Sequence, residues 1–166
     1  MDKNEDRLEK YHGGGGIIVP GAMWAPLVLI RVFPNGAEPT EERENDEGAP
    51  SKHIPIGYVF VRNLKFVRLG KKSFWKLPSG HRKNEEGRND LTPLHTAIAE
   101  VREETGIPLG AKPFRYITKW WDPVHNNHWK CLFVADITES DRGWMNNHTD
   151  GNEGEEPRFF TLDQFN

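Results

Sequence analysis

Three glutamates, Glu100, Glu103 and Glu104, follow one another at i, i+3 and i+4. Around them Leu94, Ala97, Ile98 and Val101 repeat at helical spacing, so the three carboxylates share one flank of a helix whose other flank is apolar. Each like-charge pair costs roughly a few tenths of a kcal/mol even in water. The acids also fall toward the helix C-terminus, where the macrodipole disfavours negative charge. Local stability therefore argues against the arrangement. A divalent cation reverses the balance, because Mg²⁺ and Mn²⁺ favour clustered hard oxygen ligands. The alternative reading from the residues alone is a solvated acidic face with Arg102 as partial partner, since Glu forms helices well and is common on surfaces.

The helix that must position these acids has clear ends. Thr92 can cap it, Pro93 suits its first position, and Gly106 closes it. Apolar, β-branched runs predict strands over residues 23–33, 114–121, 129–137 and 158–162, with one long or two short strands over 54–69. Pro20 and Pro26 suggest an irregular or edge-like start to the first of them. Residues 70–89 and 138–156 read as polar loops. Strands on both sides of one strong helix indicate an α+β domain with a mixed sheet.

Length and charge narrow the function classes. The 166 residues suit one domain: a flexible tail over 1–16, ending in four glycines, and one domain over 17–166. Residues 34–53 form a polar insertion, with Glu38, Glu41, Glu42, Glu44, Asp46 and Glu47 opposed only by Arg43 and Lys52. Lys plus Arg is 22 against 25 acids, net −3, so no basic face for duplex nucleic acid is expected. The longest apolar run, 24–30, is far short of a membrane span, and the N-terminus has no apolar core for a secretory signal. One cysteine, Cys131, leaves no intrachain disulfide; a reducing, cytoplasmic setting is the simplest expectation.

Residues 99–107, A-E-V-R-E-E-T-G-I, resemble the end of the Nudix box, G-x5-E-x7-R-E-U-x-E-E-x-G-U, where U is a bulky apolar residue. Glu100, Val101, Glu103, Glu104, Gly106 and Ile107 match at the family's spacing. Residues 75–80, W-K-L-P-S-G, are similar to the W-x-L-P-G-G segment that leads into the box, and residues 155–165 are similar to the family's closing strand. The resemblance covers the chain from about residue 23 onward. It implies a Nudix-like α/β/α sandwich around a mixed β-sheet. It also implies Mg²⁺- or Mn²⁺-dependent hydrolysis of a nucleoside diphosphate linked to another moiety. On that pattern Glu100, Glu103 and Glu104 are metal ligands, joined by the backbone carbonyl of Ser79, which stands in for a family glycine. Glu103 and Glu104 are then catalytic. The general base is sought among Glu153, Glu155 and Glu156 in the loop before the last strand, with Glu156 the nominated catalytic residue.

Three departures stand out. The family's Arg before the first matched Glu is Ala99; Arg82 or Arg88 from the preceding loop are candidates to supply the cation. The family's first Glu falls on Leu91, with Asp90 one residue off and Glu85 and Glu86 nearby. The stretch from Gly80 to Ile107 is five residues longer than the family box, through expansion of 81–89. For substrate contacts, Trp120 and Trp121 can stack a base, although strand alternation puts at least one of them in the core. Arg62, Arg68, Lys71 and Lys72 are phosphate candidates, Arg68 foremost. His125 and His128 could hold a second metal, against the simpler reading as polar residues. Many relatives carry a helix after the closing strand; without one, a homodimer that covers that face of the sheet, a naturally short form and a truncated chain are the alternatives. The competing reading is a non-catalytic Nudix-like module that binds a nucleotide or a partner.

Overall fold

The computed structural model describes residues 23–36, 54–110, 112–123, 128–146 and 155–165. The tail over 1–16 and nearly all of the insertion over 34–53 lie outside these. The main sheet has five strands in the order β5-β6-β1-β2-β7: β1 (Trp24–Phe33), β2 (Gly57–Asn63), β5 (Phe114–Asp122), β6 (His128–Thr138) and β7 (Glu155–Thr161). β1 pairs parallel with β6 along its whole length, and every other neighbour is antiparallel. The sheet is therefore mixed, as the order of predicted elements requires.

β1 is the central strand, not the edge that Pro26 suggested. In a strand, residues of one parity turn their backbone groups to one side. Trp24 and Val28 bond to the segment 78–82, through Arg82 N–H to the Trp24 carbonyl at 2.9 Å and Val28 N–H to the Pro78 carbonyl at 3.0 Å. Pro26 shares their parity, so its missing N–H faces that segment and costs the β6 ladder nothing.

The longest helix among the described residues, α2 (Pro93–Thr105), lies against one face of this sheet. Thr92 Oγ1 accepts the His95 N–H at 3.2 Å, and Gly106 closes the helix with φ 82°. Leu94, Ala97 and Val101 pack on Val28, Ile30 and Val32 of β1, Val59 of β2, and Phe133, Ala135 and Ile137 of β6. Ile98 is only partly buried beside them. Trp24 is buried in the same face and donates from Nε1 to Thr96 Oγ1 at 2.8 Å.

Four local readings change. Residues 64–68, read as strand, form the short helix α1 (Leu64–Arg68), because Asn63 Oδ1 captures the Phe66 N–H at 3.2 Å and so caps a turn. Inside the 70–89 loop a two-strand hairpin forms, β3 (Asn84–Glu85) and β4 (Arg88–Asn89), turned at Gly87. The 138–156 loop holds a 3-10 turn (Glu139–Arg142) and α3 (Gly143–Asn146). The last strand starts at Glu155, three residues earlier than the expected start at 158. No helix among the described residues is long and apolar enough to cross a membrane.

The left-handed backbone at Gly106 yields the first prediction. Gly106→Ala should destabilise the protein by about 1 kcal/mol, from the cost of a Cβ in that conformation, and Gly106→Asn by less. Urea unfolding midpoints for the pair check this; equal losses for Ala and Asn would contradict it.

Candidate functional site

β1 and β2 pair over only three residues, Ile30↔Val59 to Val32↔Gly57, and then part. The segment 75–80 fills the opening. Lys76 exchanges backbone hydrogen bonds with Val61, at 2.8 and 2.9 Å, and Ser79 bridges to Leu27. This lays the Ser79–Gly80 backbone directly on the acidic flank of α2. The Ser79 amide hydrogen-bonds Glu104. A Cβ on Gly80 would run into the Glu100 carboxylate, so this position needs glycine for close approach.

The three glutamates differ sharply in surroundings. Glu100 and Glu104 are buried, at 7% and 4% exposure, while Glu103 is half-buried. Burial, then repulsion from Glu103, pushes Glu100 up to about 7, against the pull of Arg88. Burial, then Glu155, pushes Glu104 up to about 9, against Lys76 and the Ser79 amide. Glu104 Oε2 is buried with no hydrogen-bond partner.

Of the candidate cations, Arg88 reaches the site. From the hairpin, its Nη1 donates to Glu100 Oε1 at 3.1 Å and Glu103 Oε1 at 2.9 Å, while Nε and Nη2 grip Asp90, each at 3.1 Å. Asp90 is buried and also accepts from the Lys83 amide at 2.9 Å and Thr96 Oγ1 at 2.8 Å. Burial alone would raise the Asp90 carboxyl, but these donors hold it below the usual carboxylate range. Arg82 instead covers the Trp24 ring, 4.3 Å from its centroid, and Arg102 is exposed. Leu91, Glu85 and Glu86 all face solvent.

The pair at the start of β7 is divided by strand alternation. Glu155 shares the face of Phe159, which pairs with core Val59, and so looks toward α2. It is buried and stands 3.8 Å from Lys76 Nζ. Glu156 turns to the opposite face, where Arg62 holds it at 2.6 Å and Arg158 approaches at 3.5 Å. Both arginines also lie over Trp75, at 4.7 and 4.9 Å. The structure therefore brings Glu155, and not Glu156, beside Glu104. The two Phe residues that follow, one on each face, hid this parity in the sequence. Glu153 lies outside the described residues.

Trp120 and Trp121 are both exposed, which corrects the expectation that alternation sends one to the core. β5 is an edge strand, and a register shift between Tyr116 and Thr118 changes which residues face α2. After it, Trp121 shares a face with Trp129 and meets that ring edge-on at 5.4 Å. Arg68 is exposed on α1, beside the opposite edge strand β7. Four inter-strand steps, about 19 Å, separate these edges. Even so, the starts of β1, β6 and β7 and the ends of β2 and β5 fall at one end of the sheet, so all these residues gather there. His128 is buried against His81, ring centroids 4.8 Å apart; His125 lies outside the described residues.

Does this donor set suit a hard cation? The orphaned Glu104 oxygen and the raised affinities of two buried carboxylates for protons both call for positive charge. Among the described residues no three His, Cys, Asp or Glu side chains stand at ligating geometry. Glu100 and Glu103 are instead turned to Arg88. The chemistry of these oxygen donors fits Mg²⁺ or Mn²⁺, with Glu103 the most exposed of the three.

No family model matches the chain, and no curated protein matches its sequence. Solved structures do. NrtR from Shewanella oneidensis superposes with a TM-score of 0.52 at 10% identity, over 86% of this chain and 54% of that one. The domain of NrtR solved with ADP ribose is its NUDIX domain; it aligns over 99% of this chain and 86% of that one, at 9% identity and TM-score 0.47. The chain has a Nudix fold. A mutT/nudix family protein from Listeria innocua also aligns, at 15% identity and TM-score 0.48, over 89% of this chain and 82% of that one. The likeness is one of fold, and the chain spans about half the length of the full NrtR protein.

The raised carboxylates in this Nudix fold set a pH dependence. In metal-free buffer Glu104 in the unfolded chain loses its proton near 4.5, whereas the folded protein keeps it to about 9. Between those values the folded state binds more protons, so stability is full below the lower value and is lost as pH rises toward the upper one. Glu100 adds to the loss up to about 7. Glu104→Gln should flatten this slope and be more stable than the parent at pH 8 in EDTA. Thermal unfolding across pH 5–9 tests it, and a parent whose stability rises over that range would overturn it.

Proposed function

We propose that the chain is a metal-dependent hydrolase that cleaves the pyrophosphate bond of a nucleoside diphosphate linked to another moiety. The observation that carries this reading is the buried pair Glu100 and Glu104, both with raised proton affinity, and the partnerless Glu104 Oε2 under the Ser79–Gly80 backbone. A solvated acidic face would hydrate its acids, and a structural acid pair would find donors for them. Perturbed carboxylates gathered where two strands part are what a catalytic site needs.

Glu100, Glu103, Glu104 and the Ser79 carbonyl would hold Mg²⁺ or Mn²⁺. When bound, the ion would neutralise pyrophosphate oxygens and acidify the attacking water. We assign Glu155 to orient that water or accept its proton, because it faces Glu104 across the site while Glu156 is engaged by Arg62 on the other face. Trp121, set edge-on against Trp129, offers a ring face for a base at the same end of the sheet. Trp120 and Arg68 would contact only a substrate that extends to those edges. The buried Cys131 thiol, pushed up to about 12 by burial, is inert and suits a reducing, cytoplasmic setting.

One observation favours the second reading, a non-catalytic module that binds a nucleotide or a partner. Arg88 already offsets part of the charge of Glu100 and Glu103 without a metal. Metal-dependent product release separates the two. On a panel of nucleotide sugars, dinucleoside polyphosphates and nucleoside triphosphates, with products read by mass spectrometry, turnover should require Mg²⁺ or Mn²⁺. Glu103→Gln and Glu104→Gln should each lower kcat by roughly 10²-fold or more, the scale for removing one electrostatic group from a prepared site. Near-parental turnover in both variants would sink the hydrolase mechanism. Separately, millimolar Mn²⁺ should raise the melting temperature of the parent by mass action and that of Glu104→Gln much less.

A further inference from the structure

We propose that Arg88 is a positioning residue, a built-in counter-cation that holds Glu100 and Glu103 in place and sets how tightly the site takes a metal. The inference rests on the metal-binding reading above and deepens it. Arg88 is not a mobile surface arginine that has fallen onto two acids. Its Nε and Nη2 form a two-pronged grip on Asp90, which leaves Nη1 fixed between Glu100 Oε1 and Glu103 Oε1. Asp90 is in turn locked by Thr96 Oγ1, and Thr96 by Trp24 Nε1, a buried core side chain. A continuous chain thus runs Trp24, Thr96, Asp90, Arg88, Glu100 and Glu103. It ties two site carboxylates to the start of the central strand. The hairpin exists to deliver this group, since Arg88 pairs with Glu85 across it and Gly87 makes its turn.

This geometry predicts an opposed pair of effects. A guanidinium beside the ligand oxygens repels an incoming divalent ion, so removing its charge tightens metal binding. The same removal lets two like-charged carboxylates separate, so the chemistry slows. A merely structural role would weaken both.

Arg88→Gln should therefore bind Mn²⁺ about tenfold more tightly by electron paramagnetic resonance titration, while kcat falls about tenfold or more with little change in KM, in the range for loss of an outer-shell partner. Arg88→Lys should restore the parental Mn²⁺ affinity but not kcat, because an ammonium keeps the charge and loses the fork. Asp90→Asn, which leaves the Arg88 charge and loosens its anchor, should lower kcat without tightening Mn²⁺. In EDTA, Arg88→Gln combined with Glu103→Gln should shift the unfolding midpoint by less than the sum of the single shifts. Additive shifts would show that the contact does not hold Glu103. Weaker Mn²⁺ binding together with slower turnover in Arg88→Gln would reduce Arg88 to a structural support, and unchanged affinity would remove the counter-cation role. A parent that binds Mn²⁺ but turns over no substrate would defeat the hydrolase reading alone, and the affinities and the double-variant cycle would then decide Arg88. A parent that binds no Mn²⁺ would defeat both.

Discussion

The parting of β1 from β2 is the constraint on which the site depends. A sheet cannot leave backbone donors and acceptors unpaired in its interior, so the opening must be filled, and 75–80 fills it from both sides. That places two residues of irregular backbone, Ser79 and Gly80, against the acidic flank of α2. The burial of Glu100 and Glu104 follows from the same wedge, because the segment that closes the gap also excludes water from their carboxylates.

Charge around the wedge is arranged in two unequal parts. Glu100 and Glu103 share one guanidinium at hydrogen-bond distance, whereas Glu104 faces Glu155, which stands 3.8 Å from Lys76 Nζ. The site is thus partly compensated on one side, where the same guanidinium also grips Asp90, and crowded with buried acids on the other. Burial first, and then the neighbouring Glu155, is the physical content of the raised Glu104 proton affinity, and it makes Glu104 the position most responsive to any added positive charge.

How much of this could be read from residues alone varied with the range of the forces involved. α2 was legible to the residue at both ends, because Thr92, Pro93 and Gly106 act locally. The three acids and the segment 75–80 were legible as a motif. What sequence could not show was set by pairing and parity. Both Phe159 and Phe160 are apolar, so nothing local said which of Glu155 and Glu156 faced the helix. The register shift at Tyr116–Thr118 likewise decided the face of Trp121 and, with the edge position of β5, exposed both tryptophans. Pro26 misled because its missing donor matters only on the side where the neighbour turned out to be a loop. Arg88 was one of two candidates within the expanded loop, and only the hairpin turn at Gly87 separates it from Arg82.

The parallel pairing of β1 with β6 bears on how the chain reaches this structure. Arg31 and Asp136, joined by two hydrogen bonds of 2.6 and 2.7 Å toward the far end of the ladder, are 105 positions apart. The central strand thus waits for a partner synthesised long after it. Until β6 emerges, the central strand has β2 to pair with over three positions and the bonds from the segment 78–82. Such non-local ladders carry a large loop-closure cost before any contact rewards it, which slows folding to the millisecond-to-second range. For a growing chain, the first strand made is completed only once β6 has followed it.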